Sequence, residues 1–204
     1  MPDASDPLDP HVEQMLAGDE SAMRAVYRDV QPRLLRYLTV LVGPHDAEDV
    51  ASETWAQAFR DLGRFTGDAD GFRGWVTTIG RHRALDHLRR RPRQPRADSE
   101  LLEALDRPAD IDVEAAVIGT LSTEAALELV ASLPPDQAEA IVLRTMFGFD
   151  APTTARILGK RPGAVRSASH RGLRALARKL DREAVKKSAP TRNTSPAPDA
   201  EGTR

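Results

Sequence analysis

Nearly everywhere along the chain the apolar residues recur three and four apart, and no window shows the strict alternation of a half-buried strand. That spacing predicts an all-α protein. Asp19-Glu20 opens a run in which Met23, Val26, Tyr27 and Val30 share a face. Pro32 suits the first turn of a following helix over Leu34 to Val42, where no amide donor is needed. Gly43-Pro44 breaks that helix, and Asp46 is placed to cap a third one carrying Val50, Thr54, Trp55, Ala58 and Phe59. Gly63 to Gly71 reads as a loop. From Phe72 a long helix carries Trp75, Val76, Ile79, Leu85 and Leu88 and runs into Arg89-Arg90-Arg91, where Pro92 stops it.

Seven of the nine aromatic residues lie between Tyr27 and Trp75, so the first half holds most of the bulky core material. Residues 92–122 contain Pro92, Pro95 and Pro108, many acids and weak periodicity. They read as a flexible acidic linker with short helical stretches at Leu101–Leu105 and Val113–Ile118. A second helical block begins near Thr123 with Leu127, Val130 and Leu133, continues from Pro134-Pro135 through Ile141, Val142 and Met146, and turns at Phe147-Gly148-Phe149. The expected organisation is an N-terminal extension over 1–18, a helical bundle over 19–92, a linker over 93–122, a second helical domain over 123–182, and a disordered Pro/Ser/Thr/Ala tail over 183–204.

The formal net charge of −2 conceals four alternating blocks. Residues 1–61 carry 12 acids against 5 bases, and residues 98–128 nine acids against one base. Residues 73–96 carry eight Arg against Asp86, and residues 156–182 nine bases against Asp181. Such a chain suits one polyanion gripped at two places and a basic partner elsewhere. With no cysteine, a disulfide framework, a cysteine-ligated zinc site and a thiol nucleophile are excluded. The acidic, Pro-rich start lacks the order of a signal peptide, and no run approaches the ~18–20 apolar residues of a membrane span. A cytoplasmic protein without membrane insertion is expected. Neither a Gly-rich phosphate loop nor a nucleophile elbow is present, so an enzyme is not expected, nor a cofactor. The acids at 46–53 are explained by the dipole of a helix start rather than by a metal.

Thr153 to Leu158, the turn Gly159-Lys160-Arg161 and a basic helix from Pro162 to Leu180 form a helix-turn-helix pattern. Gly163, Arg166, Ser167, His170 and Arg174 share one face of the second helix, whose donors suit base edges and phosphates. Val165, Ala168, Gly172 and Leu176 fall on the other and are expected to pack inward. A stand-alone helix-turn-helix transcriptional regulator satisfies these features.

Tyr27–Leu38, Asp46-Ala47-Glu48-Asp49-Val50, Glu53-Thr54, Phe72-Arg73-Gly74-Trp75 and Arg83 to Arg90 resemble region 2 of bacterial sigma-70 family factors. Leu133-Pro134-Pro135, Val142-Leu143-Arg144, Ile157-Leu158-Gly159, Gly163 to Ser167 and His170-Arg171 resemble region 4. With only a linker between the two, the layout is similar to the extracytoplasmic-function (ECF) subgroup.

The resemblance implies an RNA polymerase sigma factor that directs core polymerase to specific promoters. It implies that Asp46, Asp49, Glu53 and Gln57 bind the polymerase β′ coiled coil, and that region 4 meets the β flap. It implies that the loop Phe65, Thr66, Gly67 and Asp68 captures a flipped base of the −10 element. Trp75, Thr78, Arg81, His82 and Leu85 are then further −10 contacts. Arg161, Arg166, Ser167, His170, Arg171 and Arg174 are implied to read the −35 element. An anti-sigma factor is a further partner that the subgroup commonly has. Thr78 and Ile79 stand where housekeeping factors carry a duplex-opening tryptophan pair, which points to a factor with few promoters.

Overall fold

The computed structural model describes residues 6–90 and 123–188. The described residues form eight α-helices and one 3-10 turn, and no strand. The first unit comprises α1 (Asp9–Leu16), α2 (Glu20–Val42), α3 (Pro44–Asp61), a 3-10 turn (Leu62–Arg64) and α4 (Ala69–Arg90). The second comprises α5 (Thr123–Ala131), α6 (Pro135–Thr145), α7 (Ala151–Leu158) and α8 (Pro162–Ser188). The expected linker 93–122 and the tail beyond Ser188 lie outside the described residues. Helix α8 runs six residues past Arg182, into the stretch expected to be disordered.

Helix α2 corrects one expectation. It is continuous, with Pro32 in its interior rather than opening a new helix. The buried stripe Ala22, Val26, Val30, Leu34, Leu38 and Val42 passes Pro32 without a change of phase, and the proline ring is exposed. Packing on both sides of Pro32 outweighs the one lost backbone hydrogen bond. At the start of α2, Oδ1 of Asp19 accepts from the amides of Ser21 (2.6 Å) and Ala22 (3.1 Å). The Ser21 hydroxyl, which donates to the same oxygen at 2.7 Å, holds the Asp19 carboxyl below its ordinary pKa together with these amide bonds. Gly43, at φ +88°, lets α3 start at once with Pro44 in its first turn.

Residues 6–16, expected only as part of an extension, belong to the first unit. Leu8, Val12 and Met15 are buried in its core. Oδ1 of Asp9 accepts from the amide of Ala69 at the start of α4 (2.9 Å). Asp6 pairs with Arg73, whose buried guanidinium also donates to Asp29 (2.9 Å) and Asp70 (3.0 Å). Burial alone would lower the pKa of Arg73, but hydrogen bonds to Asp6 and Asp29 raise it above its ordinary value. One arginine thus ties the N-terminal segment, α2 and α4 together. An aromatic layer of Trp55, Phe65, Phe72 and Trp75 fills the space between α3 and α4.

In the second unit, Val165, Ala168 and Leu176 are buried as their spacing requires. Asp150 caps α7 by accepting from the amide of Thr153 (2.7 Å), and Gly159 ends it in the left-handed conformation at φ +65°. The two units pack against each other. Tyr37 of α2 meets Phe147 edge to face, with 6.4 Å between ring centroids, and α4 lies against α7.

Candidate nucleic-acid interface

The helix-turn-helix is formed by α7 and α8, with α8 held on α6 by its apolar face. Gly172 sits where a Cβ would come within 2.5 Å of Ile141 Cδ1 and 3.2 Å of Gln137 Cβ, so the side chains of α6 fill the space that a side chain on α8 would need there. That contact fixes the rotation of α8 and points the opposite face outward. Arg161, Gly163, Arg166, Ser167 and Arg171 are exposed, and His170 and Arg174 are half-buried beside them. Pro162 opens α8, so Arg166 and His170 project near its N-terminal end. The result is a cationic, donor-rich surface on a rigid helix, of the shape and charge that enters a major groove.

The second cationic helix, α4, is differently placed. Trp75 is half-buried, packed on Phe65 and Phe72 at centroid distances of 5.2 and 5.7 Å. Phe65 is itself only 9% exposed, so its ring supports the loop from below and is not a free platform for a base. Thr66, Gly67 and Asp68 are exposed. Gly67 has φ +149°, and a Cβ there would lie 3.2 Å from the Phe65 ring, so the loop passes tightly over that ring. Oδ1 of Asp68 accepts from the amide of Gly71 (2.7 Å), in the first turn of α4. Thr78 returns its hydroxyl to the carbonyl of Gly74 (2.8 Å). His82 is exposed and Leu85 half-buried. Arg81 is engaged: its Nε donates to Oε2 of Glu139 on α6 at 2.7 Å. Burial acts to lower its pKa, but the bond to Glu139 raises it.

The acidic face of α3 separates into two pairs. Asp49 and Glu53, one turn apart, are exposed. Asp46 lies 3.1 Å from Nε2 of His87, and Oε1 of Gln57 accepts from Nε of Arg83 at 2.9 Å. Both of these partners are on α4. Among the described residues no cluster of His, Cys, Asp or Glu is arranged to hold a metal ion, and no helix is long and apolar enough to cross a membrane. Sequence reasoning missed Glu139, Tyr37 and Arg73. Glu139 is a single acid inside an apolar helical run, and that oddity is the one signal it offers.

Comparison with known proteins accounts for this arrangement. Residues 26–94 match the Sigma-70 region 2 model, and residues 123–176 match Sigma-70, region 4. The chain is 35% identical over 175 residues to ECF RNA polymerase sigma factor BldN of Streptomyces coelicolor, spanning 85% of this chain and 66% of BldN, just under two thirds. It is 33% identical over 175 residues to ECF RNA polymerase sigma factor SigD of Mycobacterium tuberculosis, spanning 83% of this chain and 82% of SigD. In fold it is similar to CnrH, solved in complex with the cytosolic domain of CnrY, with a TM-score of 0.60 at 22% identity over 86% of this chain and 99% of that one. It is also similar to the sigma factor RpoE of Bartonella quintana, solved with the anti-sigma factor NepR, with a TM-score of 0.58 at 23% identity over 78% of this chain and 96% of that one. With both regions matched in order and curated relatives above 30% identity, the chain belongs to the sigma-70 family as an ECF RNA polymerase sigma factor.

Proposed function

We propose that this chain works in the cytoplasm as the promoter-selecting subunit of RNA polymerase, with its first unit bound to core enzyme and both units bound to DNA. The observation that carries the proposal is the α8 face Arg161, Arg166, Ser167, His170 and Arg171, a basic recognition surface that α6 holds outward. In this reading it occupies the major groove of the −35 element. The α4 face from Trp75 to Leu85 and the loop at Thr66–Asp68 meet the −10 element. Asp49 and Glu53 present negative charge to the β′ coiled coil, while Asp46 and Gln57 set the angle of α3 through their α4 partners. The second unit also docks on the β flap. An anti-sigma factor is a fitting regulator, given the relative that was solved with one. The protein supplies recognition, and the chemistry of RNA synthesis belongs to the polymerase.

Gel filtration of the full chain with core RNA polymerase tests this reading. The expected result is a stable one-to-one complex that Asp49→Lys with Glu53→Lys abolishes. DNA binding by the isolated chain, with no complex formed, would instead describe a stand-alone regulator.

A further inference from the structure

The loop ahead of α4 is held from two directions, one local and one 60 residues away in the chain. Locally, Oδ1 of Asp68 accepts from the amide of Gly71 at 2.7 Å, and the carbonyl of Asp68 accepts from the amide of Phe72 at 2.9 Å. Both bonds satisfy amides that a helix start leaves without an intrahelical acceptor. The amide of Ala69, the first residue of α4, is satisfied by Oδ1 of Asp9 in the first turn of α1, at 2.9 Å. Ala69 is fully buried, so its amide depends on an acceptor from the protein.

The local bonds fix the loop to the helix it precedes. The Asp9 bond fixes their junction to the body of the unit, because α1 is seated in the core by Leu8, Val12 and Met15. A second bond aims the Asp9 carboxylate: its Oδ2 accepts from the amide of Asp6 at 3.0 Å. Asp6 is in turn paired with the buried guanidinium of Arg73, one turn into α4. Between the buried ring of Phe65 and the pinned amide of Ala69 lie only Thr66, Gly67 and Asp68, all exposed. So short a span between two fixed ends has few backbone paths, and releasing one end multiplies them.

We propose that Asp9 is a positioning residue for −10 recognition: through the Ala69 amide it holds Thr66, Gly67 and Asp68 in the path that receives a base, and so sets selectivity at the −10 element without touching DNA. A loop held in advance loses less freedom on binding. Donors and acceptors fixed in one place discriminate between bases, where a loose loop adapts to all of them. Residues 6–16 lie outside the region 2 match, which begins at residue 26. The inference rests on the sigma-factor reading for its consequence, while the pin itself is measurable in the free chain.

The test uses the full chain with three substitutions. Asp9→Ala removes the acceptor. Asp9→Glu keeps the charge but displaces the carboxylate by a methylene. Asp9→Asn loses the charge but keeps an oxygen for the Ala69 amide. Hydrogen exchange in the free protein reports the loop. Asp9→Ala and Asp9→Glu should speed exchange at residues 66–71 about fivefold, on the scale of one lost hydrogen bond, and leave residues 26–38 of α2 unchanged. Holoenzyme made with each variant is then bound to two libraries of one promoter, randomised at −10 or at −35. The same two variants should lower the ratio of matched to mismatched binding at −10 about fivefold and leave the −35 profile intact. Asp9→Asn should stay near wild type in both measurements. The Glu and Asn variants decide the matter even where Asp9→Ala does not fold. Equal −10 profiles for wild type and Asp9→Glu would overturn the proposal, as would an Asp9→Asn protein as defective as Asp9→Glu. Profiles at −10 and −35 that flatten together would overturn it too, since that is the mark of a general loss of stability. Faster loop exchange in variants of a chain whose wild type never binds polymerase would uphold the pin and overturn the sigma-factor reading instead.

Discussion

The carboxylate of Asp46, in the first turn of α3, lies 3.1 Å from Nε2 of His87 in the last turn of α4. This contact, with the bond between Gln57 and Arg83, makes two of the four polar residues on the acidic face part of the scaffold. It leaves Asp49 and Glu53 exposed as the pair available to a partner.

The division predicts separable phenotypes. Asp46→Ala should lower stability, because the α3–α4 contact at His87 is lost, and weaken polymerase binding only indirectly. Asp49→Lys with Glu53→Lys should leave the melting temperature unchanged and remove binding. Thermal denaturation and gel filtration with core polymerase, run on both variants, check the split.

Gly172 predicts a packing defect. An added methyl meets Ile141 and Gln137 too closely, and overpacking costs about 1–3 kcal/mol, partly offset by the better helix propensity of alanine at about 1 kcal/mol. Gly172→Ala should therefore destabilise the second unit and weaken promoter binding. Gly163→Ala, where nothing lies within 4 Å of an added Cβ, should do no harm to folding. Urea denaturation of the two variants gives the comparison.

The recognition helix predicts a division of labour. Arg166 is exposed near the start of α8, the part that enters a groove most deeply, and Arg178 is exposed three turns on. A bidentate arginine–guanine contact discriminates by about 1–3 kcal/mol, whereas a phosphate contact contributes salt-dependent affinity. Arg166→Ala should relax preference at particular −35 positions, and Arg178→Ala should weaken all sites alike and flatten the salt dependence. Holoenzyme binding to a library of −35 variants at two salt concentrations separates these outcomes.

The N-terminal tether predicts a pH effect. The hydrogen bond from Arg73 holds the Asp6 carboxyl below its ordinary value of 3.8. A carboxyl depressed in the folded state contributes stability above that value and loses it as the pH falls through the folded one. Asp6→Asn should lower stability at neutral pH and flatten its decline below about pH 4. Thermal melts from pH 7 downward measure both.

What the sequence made legible was local. Helix spacing placed Val165, Ala168 and Leu176 inside, and left Arg166 and Ser167 outside, because both facts depend only on the 3.6-residue period. The region 2 and region 4 motifs carried the family. What stayed hidden depends on partners distant in the chain. Asp6 and Arg73 are 67 residues apart, and Tyr37 and Glu139 are 102 apart. No periodicity records such pairs. Pro32 misled for a related reason: its local preference was outweighed by a buried stripe visible only once α2 is packed. Phe65 fits both a core and a loop role from sequence, and its contacts with Phe72 and Trp75 decide which its ring takes.

The most direct measurement is run-off transcription of fragmented genomic DNA by core RNA polymerase with and without the purified chain. The account predicts new transcripts only when the chain is present, from start sites that share two upstream sequence elements, with Arg166→Ala altering the selection of the distal one. Transcripts unchanged by the chain, or start sites with no shared elements, would contradict it.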